Sequence, residues 1–167
     1  MKLLKSETGI GFPDLLLYIS VGCAALVFIL PQYIKVGQDT ISRQEREVTL
    51  VDLETIAAAI NQLEKDTGML AGYPGPNPCV NPSEHLIDRD CRVGLYCTNG
   101  KHSNWAGPYL TSDMRDPWGN PYYLDNDFHR GGNISRVIAS MGPNGVQDYK
   151  EQTSDDIVIV LCTQGEQ

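Results

Sequence analysis

Residues 15–34 read LLLYISVGCAALVFILPQYI and form a run of twenty residues without a charge. Asp14 bounds the run on one side and Lys35 on the other. Twenty residues of α-helix are about 30 Å long, which matches the apolar thickness of a bilayer. The run therefore predicts a membrane-spanning helix near the amino terminus.

The helical pattern continues past the apolar run into a more polar segment. Four apolar residues there are spaced three or four apart and would line one helix face: Leu53, Ile56, Ile60 and Leu63. Gly68 is a helix-stop residue, because glycine readily adopts the left-handed conformation that ends many helices. We predict one long helix from about residue 12 to residue 66. We divide this region into an apolar segment, residues 10–34, and an amphipathic segment, residues 35–68.

Beyond residue 68 the composition changes to that of a loop-rich head, residues 69–167. Residues 71–82 contain four prolines and two glycines, which is typical of a loop. Short, partly β-branched runs at residues 135–140 and 157–162 predict strands, and residues 122–124 are a third strand candidate. A long helix packed on a small antiparallel sheet gives an α+β fold.

The charge balance and the motifs narrow the classes of function. The chain has 13 Lys and Arg against 21 Asp and Glu, a formal net charge of −8. Nucleic-acid binding needs clustered basic side chains on phosphates, so nucleic acid is not expected as a partner. The sequence has no phosphate-binding loop and no zinc-hydrolase motif. We therefore expect no enzymatic activity, and we expect exposed loop positions for the three histidines, His85, His102 and His129.

A second pattern lies at the amino terminus. Two lysines precede Gly9 and Ile10, Asp14 lies four residues after Ile10, and Pro31 lies twenty-one residues after it. A carboxylate at the start of an apolar helix is costly unless it has a charged partner. A proline inside a helix removes a hydrogen bond and bends the helix. This arrangement resembles the amino terminus of type IV pilins and of type II secretion pseudopilins.

The resemblance implies how this terminus is used. A prepilin peptidase would remove the leader, residues 1–9, by cutting after Gly9, and the new terminus at Ile10 would be methylated. Asp14 stands where the family usually has glutamate and would neutralise the free amine of a neighbouring subunit inside the filament. Pro31 would occupy the proline position of the assembly helix. The alternative is a plain single-pass anchor that is never processed.

The head contains a separate set of matches. Residues 105–110 read WAGPYL, residues 116–122 read DPWGNPY, and residues 140–145 read SMGPNG. Together with Asp155 and Asp156 before Ile157, these stretches resemble the head of the major pseudopilin of type II secretion. In physical terms, the aspartate of DPWGNPY can set a turn by accepting hydrogen bonds from the following amides. The aromatic residues of these stretches are expected to fill the core of a small sheet.

The resemblance implies a structural subunit of a type II secretion pseudopilus with a pilin-like fold. The chain would cross the bacterial inner membrane once, with its head in the periplasm, before it polymerises into a helical filament. The implied partners are further copies of the chain, minor pseudopilins, inner-membrane secretion assembly proteins and the prepilin peptidase. The alternatives are a type IV pilin for adhesion or motility, and an unprocessed membrane-tethered binding module.

The last loop of the head is a candidate calcium site. Residues 141–156 are rich in side-chain oxygens, and Ca²⁺ takes six to eight oxygen ligands from carboxylates, amides and carbonyls. The residues alone fit a structural ion and an acidic solvated turn equally well. The resemblance favours calcium and implies the carbonyl of Met141, the amide oxygen of Asn144 and the carboxylate of Asp156 as ligands. Asn144 stands where the family usually has aspartate, and Asp148 and Asp155 are further candidate ligands.

Four of the five cysteines lie in the head: Cys79, Cys91, Cys97 and Cys162. An even number of cysteines in an exported domain predicts disulfides. Four cysteines allow three pairings, and the sequence does not choose among them. A zinc site that uses His85 or His102 is the alternative, although the chain has no C-x-x-C pair.

Overall fold

The computed structural model describes residues 12–73, 79, 81, 83–130, 132–147 and 155–163. The chain divides into two compact units, Met1–Gln44 and Glu45–Gln167. The predicted leader, with its cleavage position at Gly9 and Ile10, lies outside the described residues. The folded core described below belongs to the second unit.

The first element is the helix α1, Phe12–Thr67, which confirms the predicted long helix. Asp14 lies near its start, and Pro31 lies inside it. Among the residues that the structure describes, no stretch of helix shows the length and hydropathy of a membrane span, and the predicted span at residues 15–34 stays a prediction. The helix ends where predicted, because Gly68 has φ +66° and its N–H donates to the carbonyl of Glu64 at 2.8 Å.

In the described part of the chain after the helix, four strands form one antiparallel sheet in the order β1-β2-β3-β4. Their bounds are β1 Glu84–Leu86, β2 Tyr123–Arg130, β3 Asn133–Ser140 and β4 Ile157–Thr163. The predictions for β3 and β4 are confirmed. The candidate at residues 122–124 overlaps the start of the longer strand β2, which begins at Tyr123. β1 was missed because Glu-His-Leu has neither β-branched residues nor alternation to mark it.

The core of the second unit lies between α1 and the sheet. The four apolar helix residues predicted to share one face are all fully buried: Leu53, Ile56, Ile60 and Leu63. They belong to one buried cluster with Tyr122, Leu124 and Ile138 from the sheet region. Burying a side chain of this size stabilises a fold by about 1.5–3 kcal/mol. The period-3.6 pattern of the sequence therefore identified the buried face of the helix correctly.

The four head cysteines form two disulfides, Cys79–Cys162 and Cys91–Cys97. This confirms the predicted disulfides, and the zinc alternative is wrong because all four sulfurs are used. The first disulfide connects the segment after α1 to strand β4 across 83 positions of sequence. The second closes a short surface loop with a separation of 6.

The expectation that all three histidines are exposed is wrong for two of them. His102 is 4% exposed, and its Nε2 lies 3.1 Å from the carbonyl oxygen of Leu70. His85 is half-buried, and its Nε2 lies 3.0 Å from the carbonyl oxygen of Gly72. Both rings thus hold carbonyl groups of the chain reversal that follows α1. Only His129 is exposed among the three.

A buried ion pair joins the end of α1 to the sheet. The side chain of Arg136, on β3, is 3% exposed, and its Nη2 lies 2.5 Å from Oε1 of Glu64 on α1. This contact is a buried ion pair between the helix and the sheet. Nε of Arg136 donates to Oδ1 of Asn126 at 2.7 Å, and Oε1 of Glu64 accepts the N–H of Ala71 at 3.1 Å. The charge of the Arg136 guanidinium is therefore balanced by the carboxylate of Glu64, and its Nε is hydrogen-bonded to Asn126.

Candidate ion-binding loop

The DPWGNPY stretch forms a tight turn around the carboxylate of Asp116, as the sequence predicts. Oδ1 of Asp116 accepts the N–H of Trp118 at 3.2 Å and the N–H of Asn120 at 2.7 Å. The N–H of Gly119 donates to the carbonyl of Asp116 at 2.9 Å, and Gly119 has φ +91°. Asp116 is 3% exposed, so these bonds compensate a buried carboxylate.

The same carboxylate connects the turn to the loop that follows β3. The hydroxyl of Ser140 donates to Oδ2 of Asp116 at 2.6 Å, and Ser140 is fully buried. The N–H of Gly142 donates to the hydroxyl oxygen of Ser140 at 3.0 Å. The side-chain amide of Asn120 donates to the carbonyl of Gly142 at 2.9 Å. Residues 116–120 thus fix the first turn of the loop, residues 140–142.

Gly142 is required by the close approach of the two ends of the loop. It has φ +61°, and a Cβ at this position would lie 2.6 Å from the carbonyl oxygen of Asp155. Any side chain would push residue 155 away. The carbonyl of Gly142 also accepts the N–H of Gly145 at 3.3 Å. The two described ends of the loop therefore approach each other closely at Gly142 and Asp155.

The structure brings Asn144 and Asp155 together among the candidate ligands. The backbone N–H of Asn144 donates to Oδ2 of Asp155 at 3.2 Å. The amide oxygen of Asn144 accepts the N–H of Val146 at 2.7 Å. Oδ1 of Asp155 is buried and accepts no hydrogen bond from the described residues. Met141 precedes Gly142, the residue that approaches the carbonyl of Asp155 closely.

The other two candidate carboxylates differ from Asp155. Oδ2 of Asp156 accepts the hydroxyl proton of Tyr123 at 2.9 Å, which connects residue 156 to the start of β2. Asp148 lies outside the described residues. Of the ligands that the resemblance implies, Asp156 already accepts a hydrogen bond from the phenol of Tyr123.

Tyr122, the last residue of the DPWGNPY stretch, connects this turn to α1. Its hydroxyl donates to Oδ2 of Asp52 at 2.9 Å, and the side chain is fully buried. Burial raises the pKa of Tyr122 above its usual value, and the hydrogen bond to Asp52 and that carboxylate's negative charge raise the pKa further. Tyr122 therefore stays neutral and holds the helix against the turn. The sequence could not reveal this pair, because Asp52 lies 70 positions earlier.

A second acidic group was missed by the sequence analysis. Carboxylate oxygens of Glu84, Asp125 and Asp127 lie within 4.8 Å of one another. Glu84 is on β1 and is paired in register with Asp125 on β2, so the group exists only once the two strands are joined. The backbone N–H of Asp127 donates to Oδ1 of Asp125 at 2.9 Å, a local contact between two members of the group.

Comparison with known proteins places the turn and the loop in one matched segment. The family model described as "Type II secretion system (T2SS), protein G" matches residues 93–159. The crystal structure of the major pseudopilin from the type 2 secretion system of enterohaemorrhagic Escherichia coli is 21% identical in sequence, with a TM-score of 0.49. That match covers 72% of this chain and 90% of that chain. None of the curated proteins matches. The family match confirms the resemblance of the head over residues 93–159.

Proposed function

We propose that this chain is a structural subunit of a type II secretion pseudopilus. The observation that supports this most strongly is the match of residues 93–159 to the type II secretion protein G family. Within that segment the turn at residues 116–120 and the loop at residues 140–145 are connected by side-chain hydrogen bonds. The DPWGNPY and SMGPNG stretches therefore form one structural feature. A structural role, without catalysis, is the function that we assign to it.

The proposed assembly route uses the amino-terminal helix. A prepilin peptidase removes residues 1–9, Ile10 becomes the methylated terminus, and Asp14 pairs with the free amine of a neighbouring subunit. Among the side chains of the first unit that the structure describes, Leu16, Phe28 and Ile34 are 52%, 73% and 60% exposed. Exposed apolar side chains of this size suit a helix that is covered by lipid and later by other subunits.

The proposed location follows from the same route. Before assembly, residues 15–34 span the inner membrane once, and the second unit lies in the periplasm. The two disulfides suit that oxidising compartment. After assembly, copies of the chain form the helical filament together with minor pseudopilins, on a platform of inner-membrane secretion assembly proteins.

A structural calcium ion in the last loop is part of the proposal. The candidate ligands are all oxygens, which suits Ca²⁺: the carbonyl of Met141, the amide oxygen of Asn144, and the carboxylates of Asp148, Asp155 and Asp156. The buried Oδ1 of Asp155, which accepts no hydrogen bond from the described residues, supports the fit. An ion here would cancel the repulsion between carboxylates and order the loop. Chelation is then expected to lower the melting temperature of the second unit.

A secretion assay tests the proposed function. Deleting the gene in the bacterium that produces the chain is expected to abolish release of the type II substrates into the medium. The wild-type chain and Asp14→Glu should restore secretion, whereas Asp14→Ala should not, because only a carboxylate can neutralise the neighbouring amine. Normal secretion in the deletion strain would refute this function, and loss of adhesion or motility instead would favour a type IV pilin.

A further inference from the structure

We propose that Asp116, Asn120 and Ser140 form a clamp that directs the carbonyl of Met141 toward the ion in the last loop. The inference rests on the calcium site proposed above and assigns a task to residues that are not ligands themselves. All three are positioning residues, because each would act on the ion through the backbone of residues 141 and 142.

The first step is the orientation of the Ser140 hydroxyl. A serine hydroxyl has one proton to donate and two lone pairs that accept. The proton is committed to Oδ2 of Asp116 at 2.6 Å, a short distance that is typical of a bond to a charged acceptor. A lone pair therefore faces the N–H of Gly142, 3.0 Å away. Because Ser140 is fully buried, water does not compete for either bond.

The second step is the direction of the Met141 carbonyl. The N–H of Gly142 and the C=O of Met141 belong to the same peptide group, which is planar and trans. In a trans peptide the two groups point in opposite directions. Since the N–H of Gly142 points at Ser140, the carbonyl of Met141 must point away from Ser140. Asp116 thus sets the direction of a backbone ligand through one hydroxyl group.

The third step is the next peptide group along the chain. The carbonyl of Gly142 accepts the side-chain amide of Asn120 at 2.9 Å. Asn120 is itself held by Asp116, through its backbone N–H at 2.7 Å and its side-chain amide at 3.3 Å. Both peptide groups that flank the Cα of Gly142 are therefore fixed by the 116–120 turn.

The consequence for ion binding is pre-organisation. A carbonyl that already points correctly does not have to be reoriented when the ion binds, so less binding free energy is lost. Removing a group that holds a metal ligand in place typically weakens metal binding about ten- to a hundredfold. Asp116, the aspartate of the DPWGNPY stretch, would then strengthen calcium binding in addition to holding the local turn.

Calcium titration of the full chain in detergent tests the clamp. Isothermal calorimetry with CaCl₂ should give about ten- to a hundredfold weaker binding for Ser140→Ala and for Asn120→Ala than for the wild type. Asn120 is half-buried, so its variant keeps a folded protein available if the buried Ser140→Ala change prevents folding. The matched control is Ser135→Ala, another buried serine of β3, whose hydroxyl donates to Thr163 at 3.4 Å.

Melting curves separate positioning from simple destabilisation. A structural role alone would lower the melting temperatures with and without calcium together and leave the calcium-induced rise unchanged. The clamp predicts a smaller calcium-induced rise for Asn120→Ala and an unchanged rise for Ser135→Ala. Wild-type calcium affinity in Asn120→Ala and Ser140→Ala would overturn the clamp while the calcium site stands. A wild-type chain that binds no calcium would instead overturn the site proposed above.

Discussion

Replacing Cys79 and Cys162 together by alanine is expected to lower the free energy of unfolding by about 4.5 kcal/mol. The disulfide closes a loop with a sequence separation of 83, and a long loop loses much chain entropy in the unfolded state when it is crosslinked. The bond also joins Cys79, in the segment after α1, directly to strand β4. Urea unfolding of the full chain, followed by tryptophan fluorescence, measures the loss. Both tryptophans, Trp105 and Trp118, lie in the second unit.

The second disulfide is the matched control for this prediction. Cys91 and Cys97 are only 6 positions apart, so the same entropy argument gives a smaller loss of about 2.3 kcal/mol when both become alanine. The two double variants carry the same number and kind of substitutions. An equal loss in both variants, or a larger loss for the Cys91 and Cys97 pair, would contradict the loop-length argument.

Replacing Arg136 by methionine is expected to cost about 3 to 5 kcal/mol of unfolding free energy. The change leaves the carboxylate of Glu64 without its cation, although its side chain is only 21% exposed. It also removes the donor that Asn126 receives at 2.7 Å, and Asn126 is fully buried. Urea unfolding at neutral pH, monitored as for the disulfides, measures the effect.

Two further variants distinguish a buried ion pair from a general loss of charge. Arg115→Met removes the arginine of an exposed pair, in which the Arg115 and Asp113 side chains are 45% and 43% exposed, and should cost less than about 1 kcal/mol. The double variant with Glu64→Gln and Arg136→Met removes both charges and should recover more than half of the loss. Strictly additive costs in the double variant would show that the two side chains do not depend on each other.

The parts of the fold that the sequence predicted correctly are those governed by local pattern. The period of Leu53, Ile56, Ile60 and Leu63 identified the buried face of α1, and Gly68 marked its end. Runs of β-branched residues located β3 and β4. Strand β1 was not predicted, because its three residues show no alternation and form a strand only by pairing with β2.

The parts that the sequence could not predict depend on residues that meet only in the folded chain. The pairing of the cysteines was open because loop lengths do not choose between partners. The burial of His102 depends on the carbonyl of Leu70, 32 positions earlier. The pairing of Arg136 with Glu64 joins the last strands to the end of α1. Nothing near these residues in the sequence signals their partners.

The sequence identified the two parts of the candidate site, the DPWGNPY turn and the last loop, but not the hydrogen bonds that connect them. The DPWGNPY stretch and the last loop were each recognisable, and the turn set by Asp116 was expected from its type. That the same carboxylate also binds the hydroxyl of Ser140, 24 positions later, is visible only in the structure. The calcium ligands, including Asp148, remain a prediction.

The central claim is that this chain is a processed filament subunit, and the mass of its amino terminus tests that claim most directly. The full chain would be produced with and without a prepilin peptidase and analysed by intact mass and amino-terminal sequencing. The account predicts a peptidase-dependent loss of residues 1–9 and a methylated Ile10. A chain that keeps Met1 in the presence of active peptidase would contradict the account and leave an unprocessed, membrane-tethered module.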